Sequence, residues 1–586
     1  MQTPSSILAT CLLGLTLVTA SGCANFAGQP EPSRESPATS TEPATPALEE
    51  EKRYANFEPE VLYQLLAAEI AGQRGRYEVT LANYAQAART SGDENVIART
   101  LAIAQSLGND PVQQQMAELW LQKKPESTDA RRVLAVQALK QQNLEAALGH
   151  MEALMDRGED ANFDNLAAMA TSLPPEQQQE MLELYQQLAE RHPGDPELAY
   201  SIALLHKMTG ESATALERLD TLLAEHPNFQ PAVLLKGDLL YQSGRTRQAL
   251  NYMTAQTRRF PGNLKLGELY GRMLLNENEL QAAQDEFQRL LERHPDNPAL
   301  RLSHALVALE NGERALAERE LSYLLERDQF VDQASYYLGR IAEDAGRTDQ
   351  AIGYYQSVEQ GNFFFPALAR TSAMQAEAGH LNSALTRLRE LRQNHPSIAE
   401  RLWLIEVNLL LEYGSQEQAL EAANAALEAY PDNIDVRYSR AMLLDQQDKL
   451  AAAEADLNHI LQRQPENAVA LNALGYILAV RTDRLEEARQ YIEKALQLDP
   501  GNPAILDSMG WVLFLQGYPE QALDYLEQAW AAFPDPEVAA HYGEALWVTG
   551  NRDQARIVWQ ETLDEHPNDE LLLDTINRLT NTGNEE

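Results

Sequence analysis

The chain has only two cysteines in 586 residues, Cys11 and Cys23, and it contains no familiar catalytic motif. It lacks the phosphate-binding loop G-x-x-x-x-G-K-[ST], the zinc motif H-E-x-x-H, the nucleophile elbow G-x-S-x-G and any cysteine-rich metal spacing. These absences argue against the common nucleotide-dependent, zinc-dependent and serine-hydrolase enzymes. We therefore expect a protein that is not an enzyme and that holds no cofactor and no metal.

Positive charge is also scarce, since 47 Lys and Arg stand against 87 Asp and Glu and the net charge is −40. Nucleic-acid binding requires a basic surface that neutralises phosphates, so this balance argues against it. An acidic surface favours solubility and cationic partners. The simpler interpretation is a well-solvated surface with no specific partner.

The first 23 residues contain no Lys, Arg, Asp or Glu. Their apolar run, ILATCLLGLTLVTA, is too short for a permanent membrane helix and is typical of a secretory signal peptide. The following A-S-G-C resembles the lipobox of bacterial lipoproteins. That resemblance implies a signal peptide over 1–22 and acylation of Cys23. Because position 24 is Ala and not Asp, it also implies sorting to the periplasmic face of the outer membrane. The alternative is an ordinary secretory signal with an incidental cysteine.

Residues 24–52 are rich in Pro, Ser, Thr, Ala and Glu. Such a composition cannot bury enough apolar surface to fold. We predict that 23–55 contains the acylated cysteine and a disordered tether that joins the membrane to the folded part.

The folded part carries a 34-residue repeat in three linked registers. The first consists of small residues at Ala203, Gly237, Gly271, Ala305 and Gly339; the second of Ala215, Ala249, Ala283, Ala317 and Ala351; the third of Pro193, Pro227, Pro261 and Pro295. Two apolar helical segments fill each period. This is the pattern of the tetratricopeptide repeat, in which a pair of helices stacks on the next pair.

Residues 59–568 comprise 568 − 59 + 1 = 510 residues, or 15 periods of 34. We predict an all-α, right-handed superhelical solenoid of about 15 helical hairpins. Degenerate repeats occupy 56–193, regular repeats occupy 194–568, and 569–586 forms a capping helix and an acidic tail. No segment shows the alternating pattern of a strand.

The first helix of each tetratricopeptide hairpin lines the inner face of the array. Counting from the small residue of each first helix selects inward positions with aromatic, amide and acidic side chains, which suit a partner-binding ladder. They are Asn472, Tyr476, Asp507, Trp511, Phe514 and Trp547, with Tyr336 and Arg340 on an earlier helix. The alternative is that these rings fill gaps between helices.

Three aromatic residues, Phe363, Phe364 and Phe365, replace the usual proline-terminated turn between two repeats. The favoured interpretation is that they fill a displaced hairpin junction. The other is a partner-binding patch on the ridge.

Four stretches give a more specific resemblance: YQLLAAEIAGQR at 63–74, NALGYILAVRTDR at 472–484, DSMGWVLFLQG at 507–517 and PDPEVAAHYGEALW at 534–547. With the signal and the tether, they resemble a family of proteobacterial outer-membrane lipoproteins. The resemblance implies a non-catalytic adaptor that binds a periplasmic carboxyl-terminal processing protease and presents cell-wall hydrolases to it. The membrane would be contacted through the lipid anchor only. A scaffold for polysaccharide export or peptidoglycan synthesis, without a protease, is the alternative function.

Overall fold

The computed structural model describes residues 58–159, 161, 163–169 and 173–581. The predicted signal peptide, Cys23 with its predicted acylation, the predicted tether over 23–55 and the predicted acidic tail at 582–586 lie outside the described residues. Within the described part of the chain the structure has 31 α-helices and no strand. The prediction of an all-α fold is therefore confirmed.

The chain divides into two compact units, residues 1–320 and 321–586. The helices of the first unit, of which the last crosses the boundary, are α1 (Pro59–Gln73), α2 (Tyr77–Ser91), α3 (Glu94–Ser106), α4 (Asp110–Lys123), α5 (Thr128–Lys140), α6 (Leu144–Met155), α7 (Phe163–Met169), α8 (Pro175–Arg191), α9 (Pro196–Met208), α10 (Ser212–Glu225), α11 (Gln230–Gln242), α12 (Thr246–Arg259), α13 (Leu264–Asn276), α14 (Leu280–Arg293), α15 (Pro298–Glu310) and α16 (Arg314–Leu325).

The helices of the second unit are α17 (Val331–Asp344), α18 (Thr348–Gln356), α19 (Phe364–Glu377), α20 (Leu381–Asn394), α21 (Ala399–Tyr413), α22 (Gln416–Ala429), α23 (Ile434–Gln446), α24 (Leu450–Arg463), α25 (Ala468–Arg481), α26 (Leu485–Leu498), α27 (Pro503–Leu515), α28 (Pro519–Ala532), α29 (Pro536–Val548), α30 (Arg552–Glu565) and α31 (Glu570–Asn581). Odd-numbered helices up to α29 begin a hairpin and even-numbered helices complete it. The described residues thus form 15 hairpins and one closing helix, as the 34-residue period predicts.

Small residues are required where the two helices of a hairpin cross. A Cβ atom on Gly510 would lie 2.5 Å from Leu526 Cγ and 3.1 Å from the carbonyl oxygen of Ala522. A Cβ atom on Gly475 would meet Ile492 Cγ1 at 2.5 Å. These distances are shorter than van der Waals contact, so the repeated glycine sets the approach of the helices.

Buried carboxylates bound to arginines form a second repeated feature. Asp456 on α24 accepts hydrogen bonds from Arg437 at 2.8 Å and from Arg440 at 2.7 Å, both on α23. Glu406 on α21 accepts from Arg389 at 2.9 Å and from Arg392 at 2.5 Å, both on α20. Because both carboxylates are buried, these bonds connect neighbouring helices inside the protein and are not surface ion pairs.

Two irregular repeats differ from the common hairpin. The first helix of the fourth hairpin, α7, has only seven residues, and α8 begins at Pro175, directly after Pro174. At the start of the tenth hairpin, the ring of Phe363 lies 4.8 Å from that of Tyr336, with the planes tilted by 34°. The guanidinium of Arg401 lies 3.7 Å above the ring of Phe365. The phenylalanines are half-buried, which supports the interpretation that they fill the junction.

Among the residues that the structure describes, no helix is both long and apolar enough to cross a bilayer.

Candidate functional site

A groove in the second unit is lined mainly by the first helices of the last four hairpins, α23, α25, α27 and α29. Its volume is about 890 Å³. We name it the C-terminal groove; its polar and aromatic lining includes Tyr438, Asp445, Asn472, Tyr476, Arg481, Asp507, Phe533, Asp535 and Glu537. The lining contains three of the predicted site residues, Asn472, Tyr476 and Asp507. First helices therefore provide the groove, as expected from the repeat.

Aromatic rings form a column beside this groove. Trp511 stacks on Phe514, which lies about one helical turn further along α27; the ring centroids are 5.0 Å apart and the planes meet at 7°. Trp511 also stacks on His541 of α29, with ring centroids 3.9 Å apart and planes at 15°. Tyr476 on α25 follows at 6.4 Å from His541. Three of the predicted aromatic residues thus belong to one column of neighbouring rings, which spans three first helices and in which Tyr476 is tilted by 48° relative to His541.

His541 also binds a carboxylate within the stack. Its Nδ1 lies 3.0 Å from each carboxylate oxygen of Asp507, and both side chains are only 8% exposed. A buried carboxylate requires such a partner, because removing its charge from water is costly. The pair fixes α29 against α27 and holds the imidazole parallel to the ring of Trp511.

Tyr476 connects two hairpins that are not consecutive. Its hydroxyl donates a hydrogen bond to Glu537 at the beginning of α29. Burial, together with the nearby negative charge of Glu537, raises the pKa of Tyr476 well above its usual value. The phenol is therefore neutral and acts as a hydrogen-bond donor, not as a base.

The polar wall of the groove is provided by α23 and α25. Asp445 lies 3.3 Å from Arg481 Nε, and Arg481 Nη1 lies 3.5 Å from Asp448. The amide oxygen of Asn472 is buried and has no hydrogen-bond partner among the residues that the structure describes. Asn472 is thus the one predicted site residue in the groove whose hydrogen-bonding capacity is not used there by a described residue.

The remaining predicted residues lie apart from the column. Trp547 packs on Trp559 of α30 with centroids 5.5 Å apart, and the guanidinium groups of Arg552 and Arg556 lie 5.0 and 5.2 Å from its ring centre. Tyr336 packs among Tyr337, Tyr355 and Phe363. These rings contribute to hairpin packing, which is the alternative interpretation of the ladder.

Arg340 lies one turn after Tyr336 on α17 and is half-buried. Burial raises the pKa of Glu343, but hydrogen bonds from Arg370 and Tyr355 and the charges of Arg370 and Arg340 lower it, and the net effect is a lower pKa. The structure therefore places Arg340 in a local ion network and not in the C-terminal groove.

His541 and Glu537 were not among the residues predicted from the sequence. His541 stands 34 residues after its partner Asp507, so the same period that revealed the fold also relates this acid and this histidine. A search for complementary residues one period apart would have found the pair. Glu537 had no such signal, because its link to Tyr476 spans 61 residues and depends on how successive hairpins stack.

The chemistry of the groove is that of binding. The lining contains four carboxylates but one arginine: the acids are Asp445, Asp507, Asp535 and Glu537, and the arginine is Arg481. No group of three or more His, Cys, Asp or Glu among the described residues could hold a metal ion. Phe533 is 51% exposed at the edge of the groove, so an apolar surface adjoins the acidic one.

A second accessible surface lies in the first unit, on α1. Leu62, Leu66 and Ile70 follow each other at intervals of four residues and are 50%, 55% and 50% exposed, and the neighbouring Tyr63 is 72% exposed. Four-residue spacing places the three aliphatic side chains on one helical face. Exposed apolar stripes of this kind mark sites of protein association.

The paired helices, with a small residue at each crossing, are those of a tetratricopeptide-repeat protein. Proteins of this class typically bind other proteins along an extended surface such as this aromatic and acidic groove. Two tetratricopeptide-repeat profiles match the sequence, one at 302–363 and 438–503 and the other at 240–308, 479–540 and 513–579. The chain belongs to the family of the TPR repeat-containing protein PA4667 of Pseudomonas aeruginosa. The two are 38% identical over 493 residues, which cover 84% of this chain and 83% of that protein.

Two further similarities are more distant. Cellulose synthase operon protein C of Pseudomonas fluorescens is 23% identical over 331 residues, half of this chain and 25% of that protein. The APC/C hetero-tetramer Cut9–Hcn1 contains a chain that is 14% identical, with a TM-score of 0.34, over 89% of this chain and 96% of that one.

Proposed function

We propose that this protein is a non-catalytic adaptor that binds a periplasmic carboxyl-terminal processing protease and its cell-wall hydrolase substrates. The observation that carries the proposal is the C-terminal groove, where side chains of three first helices are held in place by Tyr476–Glu537 and Asp507–His541. Such preorganised surfaces lower the cost of binding a partner. We propose a processing protease as the partner because 472–484, 507–517 and 534–547 resemble the lipoprotein adaptor LbcA.

Two separate surfaces support recruitment of two partners. The apolar stripe on α1 belongs to the first unit and the C-terminal groove belongs to the second. Proteins bound to one chain encounter each other at a high effective concentration, so cleavage accelerates without any catalytic group on the adaptor.

We further propose that acylation of Cys23 anchors the chain to the periplasmic face of the outer membrane. More than one acyl chain gives stable anchoring where a single chain is marginal. The Pro- and Ser-rich segment after Cys23 would then hold the repeats away from the bilayer.

The test uses purified protein without residues 1–23, a purified processing protease and a purified cell-wall hydrolase. We expect the protease to bind the adaptor and to cleave the hydrolase faster in its presence. An unrelated tetratricopeptide protein is the control. No binding and no acceleration would refute the adaptor function.

The partial similarity to cellulose synthase operon protein C favours one other function, a scaffold for envelope assembly. Crosslinking in cells followed by mass spectrometry distinguishes the two. Recovery of polysaccharide-export or peptidoglycan-synthesis proteins without a protease would favour the assembly scaffold.

A further inference from the structure

The C-terminal groove has a strongly unequal charge. Asp445, Asp507, Asp535 and Glu537 contribute carboxylates to its lining, whereas Arg481 is the cation among its lining residues. Each of these carboxylates already has a partner, but a carboxylate offers about four acceptor positions and each partner uses only one or two. The groove therefore retains acceptor capacity for further donors.

Two of the carboxylates lie at the groove entrance beside an exposed ring. Asp535 accepts a hydrogen bond from the backbone N–H of Glu537 at 3.0 Å and so caps α29, and the side chain of Glu537 is exposed. Phe533 lies two residues before Asp535 and four before Glu537, and it exposes half of its surface. An acidic pair next to an exposed aromatic ring fits a segment that combines basic and apolar side chains.

Charge complementarity favours an occupant from another protein over the acidic segments of this chain. The residues after α31 include Glu585 and Glu586, and the segment 42–53 carries four glutamates against Lys52 and Arg53, so both segments are negative overall. Like charges would repel these segments from the acidic groove. A basic segment of a protein partner has the complementary charge.

We propose that the C-terminal groove binds a basic segment of a protein partner, whose lysine or arginine side chains pair with Asp535 and Glu537 while an apolar side chain packs on Phe533. The inference rests on the proposed adaptor function and specifies the chemistry of the segment that the adaptor selects. Charged contacts at the rim provide selectivity and the ring provides an apolar anchor.

The test compares two short fluorescent peptides, one with several lysines and a central phenylalanine and one with glutamine in place of each lysine. The protein variant combines Asp535→Asn with Glu537→Gln. Asparagine still caps a helix and glutamine still accepts the hydrogen bond from Tyr476, so both changes remove charge and keep the local bonds.

A matched control is needed because a chain of net charge −40 attracts any cation. Asp524→Asn with Glu527→Gln removes the same charge from exposed positions on α28, a second helix outside the groove. We expect the lysine peptide to bind the groove variant about fivefold more weakly than the parent, since exposed ion pairs contribute only modestly to binding. The control variant should bind like the parent.

Phe533→Ala should also weaken binding, and this loss should persist at about 1 M salt, where exposed charges are screened within about 3 Å. Equal binding of both peptides, or equal binding by the groove and control variants, would overturn the inference. Association with the processing protease is measured on the same samples. If the protease binds while the lysine peptide shows no preference, only the groove inference fails; if the protease does not bind, the adaptor function fails.

Discussion

At the scale of single residues, the size of one side chain per hairpin decides how closely two helices approach. Gly475, Gly510 and Gly543 each face a large side chain on the following helix, and the aromatic partner of Gly543 is Trp559. Polar helix ends are equally local: Asn467, Asn502 and Asp535 accept hydrogen bonds from the first turns of α25, α27 and α29.

Gly510→Ala tests the close approach directly. The added methyl group would lie 2.5 Å from Leu526, and overpacking of this kind costs about 1–3 kcal/mol, against a gain in helix propensity of about 1 kcal/mol. We expect faster hydrogen exchange in α27 and α28. Gly353→Ala is the control, because nothing lies within 4 Å of its added Cβ and only the propensity gain remains. Equal protection of both variants would contradict the packing argument.

His304 makes stability depend on pH. Burial lowers the pKa of His304, with smaller effects from Glu320 and Glu313, which raise it, and from Arg319 and Arg301, which lower it. Because the unfolded chain then binds a proton more readily than the folded chain, stability falls as the pH falls below about 6.5. We expect the Tm of the parent to drop more between about pH 7.5 and 5.5 than that of His304→Gln. Parallel decreases in both proteins would exclude His304 as a cause.

At the scale of elements, helices are joined by buried polar pairs as well as by apolar packing. Arg301 and Arg437 each lie six residues after the proline of a repeat and donate a hydrogen bond to its carbonyl oxygen. Each also binds a carboxylate 19 residues further along the chain: Arg301 binds Glu320 and Arg437 binds Asp456. Arg131 donates to the carbonyl oxygen of Pro125 in the same way at 3.0 Å. The connection recurs in register with the repeat and fixes the turn to both helices.

Asp456→Ala should strongly destabilise the hairpin of α23 and α24. The side chain of Asp456 is 5% exposed, and its loss leaves the guanidinium groups of Arg437 and Arg440 without their carboxylate; breaking a buried pair costs about 3–5 kcal/mol. A lower Tm by circular dichroism would show this. Asp553→Ala, which removes a 98% exposed carboxylate paired with Arg556, should leave the Tm unchanged. Similar effects of both changes would refute the role of the buried pair.

The sequence predicted the helical hairpins because their signal is periodic: small residues and prolines recur wherever helices cross or end. The number of hairpins followed from the same period. Of the residues predicted for the site, Tyr476, Trp511 and Phe514 join one column, whereas Trp547 and Tyr336 pack against the rings of neighbouring helices and turns. Whether an aromatic side chain faces a groove or a neighbouring helix depends on side-chain rotamers and on hairpin stacking, which no single repeat encodes.

At the scale of the whole molecule, each hairpin contributes one surface to the next, so the last hairpin needs a partner of another kind. The closing helix α31 meets this need with Leu572, which is fully buried, and with Arg578, which donates to Glu544 on α29 at 2.8 and 2.5 Å. Repeat proteins require such caps because an open end exposes an apolar face.

A chain that ends at residue 568 should lose protection in its last hairpin. Without α31, the apolar surface of α29 and α30 that covers Leu572 becomes exposed and Glu544 loses its partner. Hydrogen exchange followed by mass spectrometry should show faster exchange in α29 and α30, and little change in hairpins far from the end. A chain that ends at residue 581 is the control, and equal exchange in the two truncated chains would contradict a capping role.

The central claim is that the repeats recruit a protease and its substrate to one chain. The most direct measurement is the rate at which a purified carboxyl-terminal processing protease cleaves a purified cell-wall hydrolase, with and without this protein lacking residues 1–23. We expect cleavage to accelerate at low adaptor concentration and to slow again at high concentration, when protease and substrate occupy different adaptor molecules. An unchanged rate at every adaptor concentration would contradict it.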